Sequence, residues 1–245
     1  AVTMEKELVE FFNKKHDPID IGAPYGQKFP IYPGEVVILQ APPKSMKTML
    51  LQNLVNRFKR NTYFMEMEMS PRQMWMRFVM IENKWSEEEL KDYYSKYANG
   101  ISEDFDWLTV DYSSCYPQEL HKRILMLPKK PEIVVVDHMG LFKTQKHDNN
   151  MKVEEVSQAL MELAIHNNII VFAVSEITKT AFAEGMNIAS SKGSFRIAYN
   201  ANKVLSLTPF KDENKLIKSL RLECTANRER ESLDLQLPVN DALIG

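Results

Sequence analysis

Ala41-Pro42-Pro43-Lys44-Ser45-Met46-Lys47-Thr48 lies between an apolar run, Glu35–Gln40, and an amphipathic stretch, Thr48–Arg60. A lysine followed by a hydroxyl at a strand-to-helix junction is the arrangement that holds a polyphosphate. Main-chain amides wrap the phosphates whatever the side chains are. Lys47 would reach the β- and γ-phosphates, and the Thr48 hydroxyl would ligate Mg²⁺. The spacing matches G-x-x-x-x-G-K-[ST], but both glycines are replaced, by Ala41 and Met46. If the backbone at Met46 needs positive φ, its Cβ costs about 1–2 kcal/mol. Bound nucleotide can offset that, so ATP and Mg²⁺ are the expected cofactors and residues 41–48 their expected cradle. The alternative is a plain strand-to-helix turn that contains Lys-Thr.

A second half-site follows. Pro131–Asp137 is an apolar strand ending in an acid. About 90 residues after the loop, on a strand expected beside it, Asp137 would join Thr48 on the metal shell. Glu66 and Glu68 end the strand Thr62–Met67. They would share a face while the chain stays extended, and one of them would orient and deprotonate an attacking water. The bland reading is a pair of solvated acids near a helix start.

These residues need an alternating framework to hold them. Strands are expected at Glu35–Gln40, Thr62–Met67, Trp107–Tyr112, Ile133–Asp137 and Ile169–Val174. Helices are expected at Thr48–Arg60, Pro71–Glu82, Glu87–Lys96 and Lys152–Asn167, the third opened by the capping box Ser86–Glu89 with Trp85 and Leu90 as its staple. Alternating β and α elements imply an α/β, doubly wound, mainly parallel sheet. Val204–Leu207, Ile217–Cys224 and Leu233–Leu237 follow too closely for long helices, so antiparallel hairpins are expected at one sheet edge. Residues 1–33 read as a helix striped by Met4, Leu8, Phe11 and Phe12 and a linker arm, residues 34–245 as the domain proper. The helix would fold back on its own core or dock on a neighbouring subunit.

Composition bounds the rest. With 245 residues and 44% hydrophobic content, wholesale disorder is excluded. A net charge of −2 excludes a histone-like coat, so any nucleic-acid site must be local or completed by oligomerisation. Cys115 and Cys224 lie far apart without CxxC spacing, which argues against a disulfide framework or zinc. The five histidines show no metal spacing and read as structural or solvated. No apolar run approaches a membrane span and the charged N-terminus is no secretory signal, so a cytoplasmic location is expected.

Taken in order, the motifs resemble one family, the RecA-like ATPases of the DnaB-type hexameric helicases. Pro33-Gly34-Glu35-Val36-Val37-Ile38-Leu39 followed by the loop is similar to that family's "PGE–strand–P-loop". Glu68-Met69-Ser70, Gln73 and Arg77 are similar to "SLEMS…Q…R", and Val134–His138 to "VVDY". Ser157–Leu160 and Leu163-Ala164 resemble the helix that follows, Val174-Ser175-Glu176 "LSQ", Lys192-Gly193-Ser194 and Asn202-Lys203-Val204 "RGSgai…AD-V", and Ala226-Asn227-Arg228 "KNR". The resemblance spans Gly34 to Leu237. It implies that Glu68 rather than Glu66 is the catalytic base, that residue 176 senses the γ-phosphate, and that Arg228 reaches a neighbour's nucleotide. The chain departs from the family at both loop glycines, at Glu176 in place of glutamine and at Ala226 in place of lysine. An acid at 176 repels the γ-phosphate unless a metal or base neutralises it. Phage and viral members of this group vary widely, which suits this drift and would place a phage-encoded chain in host cytoplasm.

Two polar loops would face the channel of a ring: Gly140–Met151, with Lys143, Lys146 and His147, and Thr178–Arg196, with Lys179, Lys192 and Arg196. Repeated around a ring, these charges would track a phosphate backbone, with Phe182 and Phe195 available to stack on bases. The expected activity is ATP-driven translocation on single-stranded DNA by a homo-oligomer, a hexameric ring working with other replication proteins. Lys47, Glu68 and Arg228 would act on the γ-phosphate. A RecA-like recombination ATPase and an assembly module with decayed catalysis are the alternatives.

Overall fold

The computed structural model describes residues 3–6, 9, 17–97, 105–146, 149–177, 200–229 and 231–245. A small antiparallel pair, β1 (Ile19–Asp20) and β2 (Pro30–Ile31), comes first. The main sheet then uses β3 (Val36–Ala41), β4 (Thr62–Glu66), β5 (Leu108–Asp111), β6 (Ile133–Asp137), β7 (Ile170–Glu176), β8 (Lys203–Lys211), β9 (Ile217–Asn227), β10 (Asp234–Asn240) and β11 (Leu243–Ile244). Their order across this nine-stranded sheet is β11-β10-β9-β8-β3-β7-β6-β4-β5. The five helices that position the site are α1 (Lys47–Phe58), α2 (Pro71–Asn83), α3 (Glu87–Lys96), α4 (Pro117–Leu125) and α5 (Asn149–Asn167).

The pairings from β5 through β8 are parallel, and those from β8 to β11 are antiparallel, in agreement with the close spacing of the last apolar runs. Strands buried on both faces carry near-continuous apolar runs. Alternate residues of β3, β6 and β7 therefore feed two cores. Val37, Leu39, Val135 and Phe172 face the core that holds Leu51 and Val55 of α1 and Met74 and Phe78 of α2. Val36, Ile38, Val134 and Val171 face the core that holds Leu120 and Ile124 of α4 and Leu160 and Leu163 of α5. Phe78 anchors the first core, with edge-on contacts to Phe64, Phe105 and Trp107.

One expectation about the sheet is corrected. Asp137 does not sit on the strand beside β3, because β7 lies between β3 and β6. The chain runs from β3 out to the edge at β4 and β5, then returns through β6 and fills the gap with β7. Helix α4 is absent from the sequence-based expectations, although Pro117 at its start, Glu119 accepting from the Tyr116 amide at 3.0 Å, and Lys122 and Arg123 in its last turn all announce it. Helix α5 starts at Asn149, three residues earlier than expected, which shortens the loop after Gly140. Residues 4–6 are helical, while Leu8, Phe11 and Phe12 of the expected stripe lie outside the described residues. Ile19, Ile21, Phe29 and Ile31 from the stretch before Gly34 are buried in the first core. Asp20 fixes that stretch by accepting the amides of Gly22, Ala23 and Phe29 at 2.9–3.0 Å.

Candidate active site

The carboxyl ends of four adjacent strands, β3, β7, β6 and β4, carry the loop after Ala41, Glu176, Asp137 and Glu66. Ala41 pairs in register with Glu176, and Glu66 with Asp137. Ligands of open α/β sheets bind at these ends.

The loop between β3 and α1 has the shape that phosphate binding needs. Met46 adopts φ 63° and ψ 24°, so the position that lacks its glycine is left-handed, and Lys44 is left-handed too at φ 60°. The strain of about 1–2 kcal/mol for such a residue is therefore present. The Met46 side chain packs against the first core, where Leu50 and Leu51 of α1 lie. Ser45 is fully buried and its hydroxyl donates to the Pro42 carbonyl at 2.7 Å, which closes the loop on itself. Pro43 and Lys44 stay exposed at its tip. Lys47 and Thr48 occupy the first turn of α1, where unpaired amides and the helix dipole favour an anion.

The two side chains of that turn reach the acids. The Lys47 ammonium, on a 6% exposed residue, pairs with the Glu176 carboxylate. The Thr48 hydroxyl donates to Oδ2 of Asp137. Thr48 spans the intervening β7 because it sits on α1 and not on β3. Asp137 is 2% exposed and its Oδ1 has no hydrogen-bond partner among the described residues. Burial, then the neighbouring Glu66 charge, push its carboxyl up to about 7, against the Thr48 hydrogen bond and the Lys47 charge. An acid placed at such cost beside a threonine hydroxyl fits a divalent cation, which would restore its charge and engage the unpartnered oxygen. Thr48 and Asp137 are the residues that would hold it. Among the described residues no group of three or more acids, histidines and cysteines could hold a metal without help. Magnesium shared with substrate phosphates needs only one or two protein ligands.

Glu66 and Glu68 do not share a strand face, contrary to expectation, because β4 stops at Glu66 and the chain bends. Glu66 is buried, its carboxyl raised chiefly by burial, and its Oε1 accepts the amides of Glu68 and Met69 at 2.7 and 2.9 Å. The Glu68 side chain is half exposed, as a group that meets solvent water must be. His138 holds it: the Gly140 amide donates to Nδ1 at 3.1 Å, so in the neutral ring the proton sits on Nε2, which lies 3.3 Å from Glu68 Oε1. Read from the sequence as structural or solvated, His138 lies beside Glu68 within the candidate site. Its place directly after Asp137 is the signal that it belongs to the site. Arg77 is the second cation here; burial lowers its pKa, and Glu66 and Asp137 oppose that.

Other expected residues lie elsewhere. Arg228 is exposed just past β9, and its amide donates to the carbonyl of Asn202, beside Val36 at the start of β3. That is the sheet end opposite the loop, about 16 Å along a strand from Ala41. The structure does not bring Arg228 to the site of its own chain. Lys143 and Lys146 are exposed after the carboxyl end of β6, at the same end of the strands as the site. Lys179, Lys192, Arg196, His147, Phe182 and Phe195 lie outside the described residues. No helix among the described residues is long and apolar enough to cross a membrane.

Comparison with solved structures places this architecture. One solved ATPase domain superposes with a TM-score of 0.75 at 11% identity, over 100% of this chain and 98% of that one. A DnaB-like replicative helicase, described with its interactions with primase, gives 0.67 at 13% identity, over 86% of this chain and 56% of that one. The RadB recombinase gives 0.61 at 16% identity, over 92% and 95%. At these identities the likeness is one of fold. No curated protein sequence matches. The model of the DnaB-like helicase C-terminal domain matches residues 30–189, more than half of the chain, and the chain belongs to that family.

Proposed function

We propose that the chain is the ATP-hydrolysing motor domain of a replicative helicase that moves on single-stranded DNA as a ring of identical subunits. The observation that carries this is the pairing of Thr48 with Asp137, whose second oxygen is buried and unpartnered among the described residues, directly behind a left-handed phosphate loop. Lys47 leaves Glu176 to take the β- and γ-phosphates. Thr48 and Asp137 would hold Mg²⁺, which when bound supplies charge neutralisation for the spreading phosphoryl charge. Glu68, held by His138, orients the attacking water and takes its proton. Arg228 serves the nucleotide of an adjacent subunit, since its own lies across the sheet. Lys143 and Lys146, with Lys179, Lys192 and Arg196, line the path of the strand, and other replication proteins are the further partners of such a ring.

The Lys47–Glu176 pair favours a second reading, a nucleotide-binding assembly module whose catalysis has decayed, because an acid already sits on the phosphate lysine. One experiment separates the two: ATPase activity with and without Mg²⁺ and single-stranded DNA, beside a mass measurement of the assembly. The motor reading expects Mg²⁺-dependent hydrolysis stimulated by DNA and abolished by Lys47→Ala. Nucleotide binding without turnover under every condition would establish the decayed module in its place. Filaments on DNA instead of closed rings would point to a recombination ATPase.

A further inference from the structure

Beyond the residues given roles so far, Glu66 stands out by its environment. It is 1% exposed, and one of its two oxygens, Oε2, has no hydrogen-bond partner among the described residues. A buried polar atom without a partner costs about 1–3 kcal/mol, and more when charged. Glu66 is also the register partner of Asp137 on the adjacent parallel strand, so the two side chains leave the sheet on the same face. Asp137 carries an unpartnered oxygen of its own, Oδ1. Two buried acids side by side repel each other; the charges of Arg77, near both, and of Lys47, near Asp137, offset part of this, but neither cation hydrogen-bonds the two unpartnered oxygens. In the helicase motif that this segment resembles, "SLEMS", a serine stands two positions before the glutamate, where this chain has Glu66. The acid is therefore not demanded by the turn.

The other oxygen is committed. Oε1 accepts the amides of Glu68 and Met69, which fixes the bend carrying the candidate base. We propose, resting on the motor reading above, that Glu66 is a positioning residue between metal and base: Oε1 sets the Glu68 bend and Oε2, beside Asp137, accepts a hydrogen bond from a water of the magnesium shell. A shift of the metal shell would then be transmitted to the base through one rigid carboxylate. Outer-shell carboxylates of this kind orient the ligands of a metal site and tune its affinity.

Glu66→Gln tests this. Glutamine keeps the volume and the carbonyl that accepts the Glu68 and Met69 amides, and it replaces the unpartnered oxygen with a neutral amide group. Two measurements are made at pH 8.5 on the unaltered and variant chains: thermal melting without metal, and Mn²⁺ affinity by electron paramagnetic resonance with ADP bound. The expected results are a melting temperature raised by about 3 °C or more, because a repelling buried charge is gone, and a Mn²⁺ affinity lowered about tenfold. Metal-free ADP affinity stays within about twofold, since Glu66 faces metal and not phosphate. A glutamate with only a structural role gives the opposite pattern, a lower melting temperature and unchanged Mn²⁺ affinity, and that overturns the proposal. If the unaltered chain retains no Mn²⁺ with ADP, the motor reading falls together with it. If it retains Mn²⁺ and Glu66→Gln retains it equally, only the role of Glu66 falls.

Discussion

Among the candidate site residues, Asp137 carries a cost to the fold. Its carboxyl is moved from the usual 3.8 up to about 7, first by burial and then by Glu66. A raised folded-state pKa means that the folded chain holds the proton more tightly than the unfolded one. The resulting stability is complete below about 4 and is lost as pH rises through about 7. A shift of roughly three units corresponds to about 4 kcal/mol. Asp137→Asn removes this dependence while keeping an acceptor for Thr48. Denaturant unfolding without metal should therefore show the unaltered chain losing stability relative to Asp137→Asn between pH 4 and about 8, and Mg²⁺ with nucleotide should narrow the gap. Parallel stability curves for the two chains would mean that Asp137 is not desolvated as described.

The elements are tied at the start of the central strands by another buried charge. Lys203, at the start of β8, is fully buried and donates to both oxygens of Glu35 at 2.7–2.8 Å, while Glu35 also accepts the Tyr32 amide at 2.9 Å. Together with the β3–β8 ladder this bond holds β8 against β3, and Arg228 follows β9, the next strand out. Removing one partner of a buried pair leaves the other charge stranded, at a cost of about 3–5 kcal/mol. Lys203→Met should destabilise the chain by that amount in denaturant unfolding, and adding Glu35→Gln should recover a large part of it. Equal losses for the single and double variants would show that the methionine, not the stranded carboxylate, does the damage. Helix α2 is placed more simply. Pro71 leads it and Ser70 caps it reciprocally with Gln73, so the bend that carries Glu68 runs directly into a fixed helix end.

At the scale of the whole molecule, the sheet separates Arg228 from the loop of its own chain, so under the proposed function the nucleotide that Arg228 serves is a neighbour's. Such a residue is worth about 10³–10⁵ in turnover. Lys47→Ala and Arg228→Ala chains should each be inactive alone. Mixed in equal amounts, they should regain part of the activity, because some interfaces then join an intact Lys47 to an intact Arg228. Steady-state hydrolysis against mixing ratio reads this out directly. A mixture as inactive as its components would return Arg228 to a surface role at the end of β9.

What the order of residues determined was local. Alternating apolar runs named the strands, Ser86 with Glu89 opened α3, and Lys47-Thr48 between a strand and a helix marked the candidate phosphate loop even without its glycines. These signals are legible because each depends on neighbours within a few positions of the chain. Folding decided what depends on contacts across the sheet. It put β7 between β3 and β6, turned Lys47 onto Glu176, split Glu66 from Glu68 at the end of β4, and brought His138 to Glu68. No periodicity encodes strand order or the burial of one particular acid, because both follow from which faces the helices cover once the whole sheet is assembled.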